Sequence, residues 1–206
     1  MSENESGRSR AVFNRLLELA GETRRVVPAG PTGVVVRVFS VIAVFLIGWL
    51  ALFGVVTQHH QVALFLVLLL PIAFLTTTST SQAERLTLLD IALAALGFAA
   101  SGWFALHANR FDNWVTGFSS LSPGDTIAGI VLFVLCIELC RRSVGIGLTA
   151  ILFVLLAYVA FGQYIGGPFS HAGVTFDYFL EMQVVGTDGI FGAPLYVAAS
   201  YAFLFV

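Results

Sequence analysis

Apolar residues in this chain are gathered into long runs that polar segments separate. The first clear run, residues 38–56, contains no charged residue, and a helix of that length spans about 28 Å, roughly the thickness of bilayer hydrocarbon. Five further runs follow, at residues 61–75, 88–106, 126–140, 145–161 and 190–206. The pattern predicts an all-α polytopic membrane protein with about six transmembrane segments, the last of them truncated.

Shorter features mark the ends and connections of these runs. Pro71 is expected to kink the second span, and Trp103, near the end of the third, is expected to lie at the membrane interface. The Ser-Pro-Gly-Asp sequence at residues 122–125 predicts a turn into a helix, with Asp125 as a cap. Residues 174–185 form an amphipathic segment before the sixth span.

The first 32 residues are polar and carry several arginines, and they are too long for the charged region of a signal peptide. Five apolar residues recur among them at helical spacing: Val12, Phe13, Leu16, Leu17 and Ala20. This spacing predicts a short amphipathic helix lying on the membrane surface. A disordered tail is the alternative.

The composition supports the membrane assignment. Apolar residues make up 58% of the chain, charged residues make up 11%, and the mean hydropathy is +0.91. Soluble domains contain about 45–50% apolar and about 25% charged residues, so the bilayer is the expected surrounding. A net charge of −2 gives no electrostatic basis for binding nucleic acid.

The basic residues, which are all arginines, predict the orientation. Six of the ten precede the first span, and under alternating spans three more fall on the same side of the membrane. Arg110 lies on the opposite side. Because cytoplasmic loops carry the excess of basic residues, the N-terminus is predicted to be cytoplasmic.

Two acids lie within predicted spans. Glu138 has Arg141 and Arg142 three and four residues further along its own helix face. Three interpretations remain open for this group: a local ion pair at the membrane surface, a salt bridge between helices or subunits, and a carboxylate that couples transport to protons or ions. Asp90, near the start of the third span, is expected to be hydrated rather than to be a buried partner of Arg142.

The cysteines and histidines predict no metal centre. Cys136 and Cys140 share one helix face and are expected to pack as small apolar side chains, because no further ligand completes a zinc site. His59 and His60 stand next to each other on a tight turn, where adjacent side chains point apart. Two single histidines in loops are expected to contact solvent: His107 and His171.

No nucleophile elbow, zinc-protease motif, phosphate-binding loop or dinucleotide fingerprint occurs in the sequence. The chain is therefore predicted not to be an enzyme, and no cofactor is expected.

Residues 186–194 form a polar, glycine-rich stretch at the edge of the last apolar run. Asp188 is expected to cap the helix that follows and to interact with its N-terminal dipole, while a ligand for a cation or substrate is the alternative. Four other residues complete the predicted turn: Thr187, Gly189, Gly192 and Pro194.

Two patterns in the second half of the chain carry a resemblance. The first is an acid-x-x-Arg-Arg-x-x-Gly pattern formed by Glu138, Arg141, Arg142 and Gly145. The second reads Thr-Asp-Gly-Ile-Phe-Gly-x-Pro-Leu over residues 187–195. Together they resemble the fused membrane subunits of tripartite ATP-independent periplasmic (TRAP) transporters, especially the branch that works with TAXI-type binding proteins.

The resemblance implies three regions. Residues 1–32 would be a cytoplasmic tail, residues 33–142 the four-helix small-subunit region, and residues 143–206 the beginning of the large permease subunit. Family members continue into re-entrant hairpins that hold sodium and substrate. The chain is accordingly expected to be a fragment that does not transport alone, with the sodium site outside it.

The resemblance also implies a function and partners. The leading hypothesis is a membrane component of a sodium-coupled secondary transporter that imports small organic acids in the bacterial or archaeal inner membrane. A periplasmic substrate-binding protein and the remainder of the large permease subunit would be its partners. A non-transporting membrane scaffold or assembly subunit is the alternative.

Overall fold

The computed structural model describes residues 31–53, 57–77, 87–186 and 188–200. The amphipathic helix predicted near the N-terminus and the turn residue Thr187 lie outside the described residues. Within those ranges every regular element is helical, in agreement with the predicted all-α class. The elements are α1 Pro31–Phe53, α2 Gln58–Thr76, α3 Leu88–Leu106, α4 Ala108–Phe111, α5 Pro123–Ser143, α6 Ile146–Phe161, a 3-10 turn Gly162–Tyr164, α7 Phe176–Val184 and α8 Ala193–Ser200.

Four segments of the described chain are long and apolar enough to cross a membrane: Gln58–Thr76, Leu88–Leu106, Pro123–Ser143 and Ile146–Tyr164. In α1 the corresponding apolar stretch is shorter, Gly33–Leu46. The protein is thus a helical, membrane-embedded chain. The number of six spans stays a prediction, because residues 201–206 of the last run are not described.

Several helices begin before their predicted apolar runs, and the largest shift is in α1, which begins at Pro31 rather than at Val38. Helix α3 matches its predicted range, whereas α2 begins at Gln58 and runs through Pro71 to Thr76. His59 and His60, predicted to lie in a tight loop, are therefore in the first turn of α2. A helix gains intrahelical hydrogen bonds by including such residues even when they are polar.

The core lies between α2, α3 and α5. One stripe of α2 faces it through Val62, Leu66, Leu70 and Phe74, which recur every four residues and are all at least 97% buried. A Cβ on Gly97 of α3 would lie 3.1 Å from the Leu70 Cβ, so glycine lets these two helices approach closely. In lipid the association of such helices depends on this packing, since the acyl chains are as apolar as leucine.

Helix α6 is attached more loosely. It meets α5 at its start, where Gly145 has a φ of +94°, a conformation that favours glycine. Three consecutive residues of α6, Phe153, Val154 and Leu155, are each more than half exposed. Consecutive residues point in different directions around a helix, so apolar side chains of α6 are uncovered on more than one side, as a bilayer allows.

Candidate functional site

Arg142, near the end of α5, joins two helices. Its Nη1 donates to Asp90 Oδ1 of α3 at 2.7 Å, and its Nε donates to Glu138 Oε1 at 2.7 Å. The side chains of Arg142 and Asp90 are 3% and 2% exposed. The guanidinium also lies over the Phe74 ring of α2, 5.4 Å from its centroid. One buried cation thus contacts side chains from all three core helices.

Glu138 holds both arginines of the predicted group. Arg141 Nη2 donates to Glu138 Oε1 at 2.7 Å and Arg141 Nε donates to Oε2 at 2.8 Å, a two-point contact that fixes the carboxylate. Glu138 and Arg141 are partly exposed, whereas Arg142 is buried. The structure therefore combines two of the three interpretations: a local pair between Glu138 and Arg141, and a bridge between helices through Arg142.

The expectation that Asp90 is hydrated was wrong. Asp90 is 1% exposed, and it is the third residue of α3, where its Oδ2 accepts a hydrogen bond from the Thr87 backbone N–H at 3.1 Å. A capping box of Thr87 and Asp90 begins the helix. Because it caps the helix, the Asp90 carboxylate is directed back towards the start of α3. Its other oxygen, Oδ1, accepts the hydrogen bond from Arg142 of α5.

A second capping box begins α5 at the opposite end of the same helix pair. Ser122 is the N-cap, and Asp125, predicted to be the cap, is instead the third helical residue; its Oδ2 accepts from the Ser122 N–H at 2.8 Å. Asp125 is fully buried. Trp103 Nε1 of α3 donates to its Oδ1 at 3.0 Å, and Arg110 forms an ion pair with its Oδ2.

The two aspartates thus follow one rule. Each occupies the third position of a helix that begins with Ser-x-x-Asp or Thr-x-x-Asp, and each also binds an arginine from another helix. Because α3 and α5 run antiparallel, the two contacts lie at opposite ends of the pair. We call these two groups, Asp90 with Arg142 and Asp125 with Trp103 and Arg110, the end clamps. The spacing of the two boxes was visible in the sequence. Arg142 was the alternative partner considered for Asp90, whereas Arg110 was not connected with Asp125.

Glu181 of α7 ties that helix to the connector after α4. Its Oε1 accepts from Trp114 Nε1 at 2.6 Å and from the Gly117 N–H at 3.1 Å. The residue is 5% exposed. The sequence assigned no role to Glu181, because Trp114 and Gly117 are more than sixty positions away.

The turn between α7 and α8 depends on two glycines. The N–H groups of Ile190 and Phe191 donate to the carbonyl oxygens of Gln183 and Val184, so the turn folds back along the last turn of α7. A Cβ on Gly189 would lie 2.6 Å from the Gln183 oxygen. A Cβ at position 186 would be equally close to the Met182 oxygen, so any larger residue at either position would displace backbone.

Asp188 does not cap α8, contrary to the prediction. Helix α8 begins at Ala193, the Gly192 carbonyl oxygen accepts from the Tyr196 N–H at 3.1 Å, and Asp188 lies five residues before the helix with its side chain exposed. Pro194, the second residue of α8, occupies a position where a missing N–H costs nothing. The turn prediction holds for the glycines, whereas the capping role of Asp188 was wrong.

Phe191 anchors this turn in the core. It is 2% exposed, and its ring lies 4.8 Å from the Phe104 ring of α3, centroid to centroid. At the other end of α8, Gln61 Nε2 donates to Ser200 Oγ at 3.1 Å. The turn before α8 is therefore held against α3, and Ser200 at the other end of α8 is held against α2.

A cavity of about 520 Å³ lies between α2, α5 and the α7–α8 turn. Its walls are mainly apolar, with Leu66 and Leu70 of α2 facing Phe133 and Ile137 of α5. Polar groups suited to a small carboxylate, such as arginine or clustered backbone N–H groups, do not occur among its described lining residues. The cavity therefore suits an apolar molecule.

The remaining candidate residues take ordinary roles. Cys136 and Cys140 are free and partly buried, as expected for small packing residues. His59 Nδ1 lies 3.7 Å from Asp112 Oδ1, and the His107 ring lies 4.3 Å from the Trp103 ring. Among the described residues no group of three or more histidine, cysteine or acidic side chains could hold a metal ion.

Comparison with known proteins found no matching family model, no matching curated protein and no matching solved structure.

Proposed function

We propose that this chain is a membrane component of a sodium-coupled secondary transporter for small organic acids, of the TRAP type, which receives its substrate from a periplasmic binding protein. Residues 33–142 would form the four-helix supporting region, and residues 143–206 would begin the large permease subunit. In this proposal the chain supports and orients the transport subunit, while sodium and substrate bind elsewhere in the assembly.

The observation that carries the proposal is that each residue of the first resemblance pattern has a distinct physical task. Glu138 binds both arginines, and Arg141 fixes its carboxylate by a two-point contact. Arg142 crosses to Asp90, and Gly145 adopts the positive φ between α5 and α6. Such a combination suits the junction at which the chain leaves a rigid helical bundle and begins the next subunit.

The second pattern is consistent with the same role. Gly189 permits the close backbone approach, and Phe191 plugs the core beside Phe104. The turn is thereby attached firmly to the supporting helices, with α8 leading away from it. A turn attached in this way would fix the position of the following helices relative to the bundle.

A membrane scaffold without transport is the second candidate. The described residues favour it in one respect, because the cavity between α2, α5 and the α7–α8 turn is mainly apolar and its described lining holds no cation that would bind a carboxylate. Both candidates predict a rigid bundle. They differ in whether solute crosses the membrane when the partners are present.

The deciding experiment is uptake into proteoliposomes. Vesicles containing the chain within a complete permease, with the binding protein added outside, should accumulate a labelled carboxylate when sodium is higher outside. Uptake that proceeds equally without a sodium gradient would refute the coupling. Absence of uptake in every condition, with correct membrane insertion shown separately, would favour the scaffold.

The proposed orientation has its own test. A reporter that is active only in the periplasm, fused directly after Arg142, should be inactive if the N-terminus is cytoplasmic. The same reporter placed after Phe118, in the connector before α5, should be active. Reversal of this pair of results would refute the orientation.

A further inference from the structure

The cavity between α2, α5 and the α7–α8 turn brings a carboxylate to the edge of an apolar space inside the membrane region. Leu66 and Leu70 lie about 12 and 18 Å along α2 from its first residue, so the apolar wall reaches towards the middle of the span. Leu152 of α6 lies on another side. The cavity is large enough for a bound organic molecule.

Two side chains in the described lining carry an amide or a carboxylate group, Gln183 and Asp188. Asp188 is exposed, so its carboxylate is accessible to a molecule in the cavity. A carboxylate beside lipid is costly unless a cation or hydrogen-bond donor meets it. The occupant that fits this lining therefore combines a long apolar part with a positively charged donor group.

We propose that the cavity binds one acyl chain of phosphatidylethanolamine, with the ammonium group of that lipid against Asp188 and Gln183. A primary ammonium donates three hydrogen bonds, and both the carboxylate and the amide oxygen accept them. The quaternary ammonium of phosphatidylcholine has no N–H to donate. The anionic head group of phosphatidylglycerol would be repelled by Asp188. This inference stands apart from the transport role and does not depend on it.

The loose attachment of α6 gives the lipid a route into the cavity. Leu152 borders the cavity, while its neighbours Phe153, Val154 and Leu155 are largely exposed. In the bilayer these side chains face acyl chains. An acyl chain can therefore enter from the side, between α6 and α2, without unfolding any element.

The test uses the 206-residue chain in vesicles that contain equal amounts of phosphatidylethanolamine, phosphatidylcholine and phosphatidylglycerol. After gentle detergent extraction, native mass spectrometry counts the retained lipids. We expect phosphatidylethanolamine to be retained about threefold or more over phosphatidylcholine, as a partly exposed charge contact allows. Asp188→Asn, which removes the charge but keeps an acceptor oxygen, should lower this preference to well below threefold. Asp177→Asn, which neutralises an exposed acid in the first turn of α7, should leave it unchanged.

A second readout locates the lipid. Cys136 lines the cavity, so in a Cys140→Ser background a membrane-soluble maleimide reports on its occupancy. Labelling should be slower in vesicles with phosphatidylethanolamine than in vesicles with phosphatidylcholine alone, and Leu69→Trp, which fills the cavity, should abolish the difference. Equal retention of the lipids, or a preference that is undiminished in Asp188→Asn with helix content intact, would overturn the proposal.

Discussion

Neutralising Asp90 should destabilise the helix pair α3–α5 far more than neutralising an exposed aspartate. In Asp90→Asn the side-chain oxygen can still accept from the Thr87 N–H, so the capping contact is kept while the charge that faces Arg142 is lost. Arg142 is 3% exposed at its side chain and cannot turn to water. The variant therefore isolates the ionic part of one end clamp.

The expected magnitude follows from the burial. Removing one partner of a buried ion pair costs about 3–5 kcal/mol, because the remaining charge is left uncompensated. Glu138 stays 2.7 Å from Arg142 and compensates part of that charge, so we expect about 2–3 kcal/mol for Asp90→Asn. At about 2–4 °C per kcal/mol for a chain of this size, the melting temperature should fall by about 4–12 °C.

The assay is thermal unfolding in detergent micelles, followed by circular dichroism. The matched control is Asp177→Asn, an exposed acid in the first turn of α7, which should change stability by less than about 0.5 kcal/mol. Asp90→Asn combined with Arg142→Met should cost less than the sum of the two single changes, since the double variant leaves neither charge unpaired. Equal melting of Asp90→Asn and the control, or strict additivity in the double variant, would refute the clamp.

Three further predictions follow from the packing and the loops. Gly124→Ala should displace the ring of Trp103, which packs on this glycine, and shift the tryptophan fluorescence. Gly102→Ala, where an added Cβ would meet open space, should leave the fluorescence unchanged, and identical spectra of the two variants would contradict the described packing. Gly189→Ala should destabilise the α7–α8 turn by about 1–3 kcal/mol, seen as faster proteolysis there, and Gly166→Ala should leave the rate unchanged. The backbone oxygens of Ala172 and then Tyr158 raise the pKa of His171. The contribution of His171 to loop stability is therefore fully present below about pH 6.5 and is lost as the pH rises through the higher folded-state pKa. Proteolysis near His171 should be slower at low pH, and a pH-independent rate would contradict this.

The helices were predictable because their signal is local. Apolar runs of spanning length identified α2, α3, α5 and α6, and their boundaries needed correction by a few residues where polar groups such as Gln58 begin a helix. The ion pairs of Glu138 with its neighbours followed from helical spacing alone. The composition and the apolar pattern were therefore enough to predict a helical membrane protein.

The contacts between distant residues were not predictable in the same way. Asp90 and Arg142 are 52 positions apart, and the local sequences gave no reason to prefer a buried pair between them, which was the alternative, over a hydrated Asp90. The hydrated Asp90 was the natural expectation for an acid near a helix start. The capping role predicted for Asp188 was wrong for a related reason. The close approach of Gly189 to α7, and not helix capping, determines the path of the turn.

The two end clamps fix the number of residues between their contact points on α3 and on α5. Asp90 and Trp103 are 13 residues apart on α3, and Asp125 and Arg142 are 17 residues apart on α5, so both contacts can form only at one relative position of the two helices. Inserting a single residue between either pair would move one end by about 1.5 Å and rotate it by about 100°. Many of the apolar side chains on these helices can therefore be exchanged without breaking either contact, whereas a change in the length of one helix would break at least one of them.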